Sequence, residues 1–138
     1  GAQRDDRPRL LLVDDDVTFC SVLSGALEKR GFQVRVAHSV AEALCGIGDD
    51  APEYAVIDLK MPDRSGLTLV SELMALDRHT RIVVLTGYAS IATAVEAIKL
   101  GAVYYLSKPA DADGMARPKS HVFHRSRNDD HHAGQATA

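Results

Sequence analysis

Polar groups of complementary chemistry stand where short apolar runs stop. Asp14-Asp15 follow Leu10-Leu11-Leu12-Val13, and Asp58 follows Tyr54-Ala55-Val56-Ile57. Thr86 follows Arg81-Ile82-Val83-Val84-Leu85, and Lys108 closes the run from Ala102 to Ser107. Three carboxylates, a hydroxyl and an ammonium are what a site needs to hold a hard divalent cation beside a phosphoryl group. Singly, each has a plainer reading. An Asp after a strand is more often a helix cap or turn residue, Thr86 a hydroxyl bonded to nearby backbone, and Lys108 a solvated lysine before Pro109. Asp16 keeps the capping role. A purely structural sheet, however, has no reason to carry matched groups on several strand ends at one rim.

The elements that would position these groups alternate along the chain, as βα units on a parallel sheet do. After the first strand, Asp16 caps a helix whose inward face is Phe19, Val22, Leu23, Ala26 and Leu27, with Gly31 as its stop. Gln33 to Ala37 alternates as a half-buried strand, and Ser39-Val40-Ala41-Glu42 is a capping box before Ala43, Leu44 and Ile47. A third strand ends at Asp58, followed by a Pro62/Gly66 loop and a helix facing Leu69, Val70, Leu73 and Leu76 inward. The fourth reaches Thr86-Gly87, and after Ser90 a helix presents Ile91, Ala94, Val95 and Ile98 until Gly101. Ala102 to Leu106 is the fifth strand, closing on Ser107-Lys108-Pro109. In an open α/β sheet ligands bind outside the carboxyl ends of the strands, so Asp14, Asp15, Asp58, Thr86 and Lys108 fall on the ligand-binding edge.

A chain of 138 residues, 46% hydrophobic and 25% charged, suits one domain with a sizeable core and has no room for a second full one. A net charge of −3 with both signs interspersed argues against dominant nucleic-acid or membrane contact. The first residues lack the apolar core of a signal peptide and no run approaches membrane-spanning length, so the cytoplasm is the expected location. Cys20 and Cys45 lie in helical segments without metal-ligand spacing and read as buried thiols.

The chain resembles the response-regulator receiver family of two-component signalling. The resemblance is carried by Val13-Asp14-Asp15, Asp58-Leu59-Lys60-Met61-Pro62-Asp63-Arg64-Ser65-Gly66, Leu85-Thr86-Gly87 and Tyr105-Leu106-Ser107-Lys108-Pro109, in order and with the family's spacing. Gly87 to Val95, with Lys108-Pro109-Ala110-Asp111-Ala112-Asp113, looks like the redox-responsive global regulators typified by RegA and PrrA. The resemblance implies a flavodoxin-like α/β fold with five parallel strands in the order 2-1-3-4-5. It implies that Asp58 takes a phosphoryl group from a cognate sensor histidine kinase, in a cytoplasmic switch that catalyses its own phosphorylation and dephosphorylation rather than a conventional enzyme. It implies Mg²⁺ held directly by Asp15 and Asp58, through water by Asp14, and by the backbone carbonyl of Lys60. Lys108 would add positive charge beside the phosphoryl group, aimed by a cis bond to Pro109. Thr86 would donate to a phosphoryl oxygen and move Tyr105, the switch aromatic, while Lys60 and Tyr88 flank the site and tune the lifetime of the aspartyl phosphate.

Asp14-Asp15-Asp16-Val17-Thr18 also matches the D-x-D-x-T motif of haloacid dehalogenase-like Mg²⁺ phosphohydrolases, which would make Asp14 nucleophile and Asp16 general acid/base. A late acidic metal pair and room for a cap are lacking. A receiver-like interaction module without phosphorylation would be expected to lose some of these acids or Lys108, and none is lost. By position the expected divisions are 1–8, an extension or cloning remnant; 9–113, the receiver domain; and 114–138, a polar, His-rich tail read as mostly disordered. The fifth helix of a receiver is therefore expected to be missing or altered, leaving an apolar patch for a partner chain or alternative packing to cover. No DNA-binding or membrane segment is expected in this chain, and homodimerisation stays open. His121, His124, His131 and His132 read as solvated tail residues rather than a metal site.

Overall fold

The computed structural model describes residues 6–48, 50–87 and 91–108. The elements, in chain order, are β1 (Arg9–Val13), α1 (Val17–Lys29), β2 (Gln33–Ala37), α2 (Val40–Ile47), β3 (Tyr54–Asp58), α3 (Gly66–Leu76), β4 (Arg81–Thr86), α4 (Ile91–Leu100) and β5 (Tyr104–Ser107). The strands form one parallel sheet in the order β2-β1-β3-β4-β5. This is the expected fold. The expectations for Tyr88, the Pro109 isomer, the fifth helix and the 114–138 tail lie outside the described residues.

The central strands are apolar between their ends because both faces are covered. Leu11, Val13, Ala55, Ile57, Ile82 and Val84 face one core with α2, α3 and α4, whereas Leu10, Leu12, Val56, Val83 and Leu85 face another with α1 and Phe32. Register then levels the strand ends. Val13 pairs with Ile57, Asp58 with Leu85 and Thr86 with Ser107, so Asp14, Asp58, Thr86 and Lys108 emerge along one rim.

Local chemistry fixes the helix ends near that rim. Asp16 Oδ1 accepts the Phe19 amide at 2.9 Å, as expected of a cap. Ser39 Oγ accepts the Glu42 amide at 3.0 Å, but Glu42 Oε1 accepts the amide of His38 rather than that of Ser39, a capping box shifted by one residue. Gly31, at φ 100°, ends α1: its amide donates to the carbonyl of Glu28 and that of Phe32 to Leu27. Gly101 ends α4 in the same way with Ile98 and Ala97. The fifth strand consequently starts later than expected, at Tyr104, because the Ala102 amide is occupied in capping α4.

Several expected inward faces are corrected. Val22 is 70% exposed, and Leu76, Ile91, Val95 and Ile98 are exposed too. In α1 the buried row is Cys20, Leu23 and Leu27, and Val22 lies two residues from Cys20, which is 200° around a helix. In α4 the buried residues are Ala94 and Ala97, so the helix approaches the sheet on its small side chains and turns its large ones out. Cys45, expected to be buried, is exposed on α2, while Cys20 is buried. Among the described residues no helix is long and apolar enough to cross a membrane.

One glycine bears directly on the site. A Cβ at Gly66 would stand 2.5 Å from the Asp58 carbonyl oxygen and 2.8 Å from Leu59 Cα, both backbone atoms unable to swing aside. Gly66→Ala is therefore expected to destabilise the fold by about 2 kcal/mol, the usual scale of overpacking. Urea unfolding measures this, and an unchanged midpoint would mean the loop after β3 yields freely.

Candidate functional site

Each functional side chain is presented by the end of a strand or the residue after it. Asp14 follows β1, is 0% exposed and has both carboxylate oxygens engaged: Oδ1 accepts the Asp16 amide at 2.9 Å and Oδ2 accepts from Lys108 Nζ at 2.9 Å. Asp58, the last residue of β3, is 5% exposed; its Oδ1 accepts the Lys60 amide at 3.1 Å and its Oδ2 lies 3.5 Å from Lys108 Nζ. Asp15 is exposed. Asp14, Asp15 and Asp58 bring one oxygen each to within 4.8 Å of one another. Lys108 follows β5, its amide bonded to the Thr86 carbonyl, and Nζ rests 5.0 Å from the centroid of the Phe19 ring. A cavity of about 400 Å³ opens on this cluster, lined by Asp15, Asp58, Lys60, Met61, Gly87 and Lys108 among others.

The electrostatics follow from three carboxylates meeting one ammonium in a partly dry setting. Burial raises the pKa of Asp58, and the Asp14 carboxylate adds to that; the Lys60 amide and Lys108 oppose the rise without cancelling it. For Lys108, burial alone would lower the pKa, but the carboxylates of Asp14 and Asp58 outweigh it and hold the ammonium above its ordinary range. Burial, with Asp14 and Asp16, pushes the Cys20 thiol up to about 12, so it stays protonated and donates to the Asp14 carbonyl at 3.3 Å.

A hard divalent cation fits this donor set. The three carboxylates supply oxygen ligands, Asp15 offers an exposed carboxylate, and a cation would oppose both causes of the raised Asp58 pKa, burial first and the Asp14 charge second. Asp14, with its oxygens held by Lys108 and an amide, suits an indirect role.

Thr86 is buried at the end of β4, with Oγ1 donating to the carbonyl of Gly87 at 3.2 Å. Tyr105 is 37% exposed and stacked near Tyr104. Lys60 is exposed at the cavity mouth. Asp16, required inside the site by the dehalogenase reading, instead caps α1. From the sequence Phe19 had only a place on the inward face of the first helix, and His38 had none. The strand-end rule, applied to β2 as to the others, points to His38, which follows Ala37 and places Nδ1 3.0 Å from the Asp14 carbonyl.

Comparison with known proteins agrees with this geometry. The response regulator receiver domain family matches residues 10–117. The photosynthetic apparatus regulatory protein RegA of Rhodobacter capsulatus is 54% identical over 106 residues, covering 77% of this chain and 58% of that protein. The acid tolerance regulatory protein ActR of Rhizobium meliloti (strain 1021) is 52% identical over 106 residues, covering 77% of this chain and 55% of its own. The chain thus spans a little over half the length of these relatives. Among solved structures, a response regulator protein from Burkholderia pseudomallei with a phosphorylated aspartic acid, calcium ion and citrate superposes with a TM-score of 0.75 at 40% identity, covering 93% of this chain and 72% of that one. A CheY-like receiver domain from Methanospirillum hungatei JF-1 gives 0.72 at 31% identity, covering 78% and 86%. With its strand order, its rim of acids and lysine and its similarity to RegA and ActR, the chain belongs to the response regulator receiver domain family.

Proposed function

We propose that Asp58 is the phosphoacceptor and that the cluster around it binds a divalent metal, Mg²⁺, for the transfer. The observation that supports this most strongly is the convergence of Asp14, Asp15 and Asp58 on one point with Lys108 bridging two of them. Asp15, Asp58 and the Lys60 carbonyl would hold the ion directly, and Asp14 through water. When bound, a divalent cation neutralises nucleophile and phosphoryl oxygens, which is most of what phosphoryl transfer demands.

An Asp58 carboxylate oxygen attacks phosphorus and the bond to the donor's imidazole nitrogen breaks, its electrons leaving with the imidazole, which then takes a proton. The donor of such a group is the phosphohistidine of a sensor kinase. Lys108 already sits beside Asp58 Oδ2 and supplies the charge that accompanies the incoming phosphoryl group. Thr86 Oγ1 then exchanges the Gly87 carbonyl for a phosphoryl oxygen, drawing the loop after β4 inward and making room for Tyr105 to turn in. The surface of α4 and β5 is the output. Lys60 and Tyr88, at the positions that flank the site in this family, tune the lifetime of the aspartyl phosphate.

Acetyl phosphate tests the metal requirement without the kinase. Incubated with Mg²⁺, the intact protein is expected to gain the mass of one HPO₃, and with a chelator to gain none. Equal labelling in both conditions would sink the metal-dependent reading.

A further inference from the structure

The turn between β2 and α2 contributes no carboxylate to the cluster, yet it touches two loops that do. On one side, His38 Nδ1 meets the Asp14 carbonyl oxygen at 3.0 Å, in the loop carrying Asp14 and Asp15. A carbonyl oxygen only accepts, so Nδ1 carries the proton. The ring is half-buried, its backbone is fixed by the bond from its amide to Glu42, and the Asp14 amide donates to the neighbouring Ala37 carbonyl at 3.1 Å. On the other side, the amides of Val40 and Ala41 donate to Asp63, one to each carboxylate oxygen, at 3.2 and 3.0 Å. Asp63 belongs to the loop that starts at Asp58 and Lys60 and is closed by Gly66, whose amide donates to Leu59.

We propose that His38-Ser39-Val40-Ala41 is a bracket that sets the spacing between the β1–α1 loop and the β3–α3 loop, with His38 and Asp63 as positioning residues for the divalent cation. The inference rests on the metal reading above. The geometry makes the two contacts act in series. Asp14–Asp15 on one side and Asp58–Lys60 on the other must approach one ion together, and Asp15 and Lys60 lie in loops beyond the last strand pair, Val13 with Ile57, where the ladder no longer sets their spacing. His38 grips the first loop, the α2 amides grip the second through Asp63, and the rigid first turn of α2, capped by Ser39, joins them. Cutting either grip releases the same degree of freedom.

Calorimetric titration with Mg²⁺ alone, on the whole chain, tests this, with metal-free urea unfolding run beside it. His38→Ala and Asp63→Ala are each expected to weaken Mg²⁺ binding about tenfold, the scale seen when groups that orient metal ligands are removed. His38→Asn, whose amide nitrogen is as many bonds from the backbone as Nδ1, should restore most of the affinity, and Asp63→Asn, which keeps one acceptor, part of it. Because the grips act in series, the double Ala variant should bind no more weakly than the weaker single variant. Wild type and D58N separate the bracket from the metal site itself. If the wild type binds Mg²⁺ and D58N loses it while H38A and D63A do not, the bracket is wrong and the metal site stands. Losses that simply add in the double variant would also overturn the bracket, leaving two unrelated local supports. If the wild type itself binds no Mg²⁺, the metal reading falls and the bracket with it.

Discussion

Asp58→Asn is expected to abolish acyl phosphate formation and, in the metal-free protein at neutral pH, to make the fold more stable by about 1 kcal/mol. The two effects have one origin. Asp58 is nearly buried beside the Asp14 carboxylate, and its pKa is raised above the ordinary carboxylate value. The folded chain therefore holds the Asp58 proton to a higher pH than the unfolded chain does. Wild-type stability falls relative to the variant as pH rises from the unfolded pKa, about 4, through the folded one, then stays lower. The advantage of D58N should be full above the folded pKa and vanish below about pH 4, where the carboxyl is protonated in both states. Added Mg²⁺ reverses the order, because only the wild type keeps the full ligand set and gains binding energy. Thermal unfolding across pH, with and without Mg²⁺, measures all of this. A variant less stable than wild type in chelator at neutral pH would contradict the electrostatic picture.

Lys108→Ala has the opposite sign. It leaves fully buried Asp14 with the Asp16 amide but no counterion, and Asp58 without the ammonium 3.5 Å away. Breaking such a pair from one side is costly, and with Lys108 itself partly exposed about 2–3 kcal/mol is expected, alongside a loss of phosphorylation by acetyl phosphate. The raised pKa of Lys108 sets the pH window. With the carboxylates ionised, the stabilisation is complete below the ordinary lysine value and is lost as pH rises through the higher folded one, so wild type and variant should converge in strong alkali. Mg²⁺ should rescue part of the stability, since it supplies positive charge to the same carboxylates. Loss of phosphorylation without loss of stability would mean that Lys108 serves the transition state alone.

The rim was legible because a parallel sheet leaves little freedom. Once Leu10–Val13, Tyr54–Ile57, Arg81–Leu85 and Ala102–Leu106 are recognised as parallel strands, the residues after them must share an edge, and the placing of Asp14, Asp15, Asp58, Thr86 and Lys108 on it followed from that alone. The facing of α4 was not legible. Ile91, Val95 and Ile98 keep the same helical period as Ala94 and Ala97, and hydrophobicity ranks the larger row first, whereas close approach to the sheet requires the smaller. Nor was the role of Asp63 legible, because a loop carboxylate meeting amides 22 and 23 residues away leaves no periodic trace. In the acidic run, the capping by Asp16 follows from its position and is seen in the structure, whereas the engagement of both Asp14 oxygens needed coordinates.

The central claim is that Asp58, and no other acid of the cluster, carries the phosphoryl group. Borohydride converts an aspartyl phosphate to homoserine, so treating the protein with acetyl phosphate and Mg²⁺, reducing it, and sequencing its peptides by mass spectrometry identifies the acceptor. Homoserine at position 58, dependent on Mg²⁺, is the expected result. Homoserine at position 14, or none at all in a folded protein, would contradict the account.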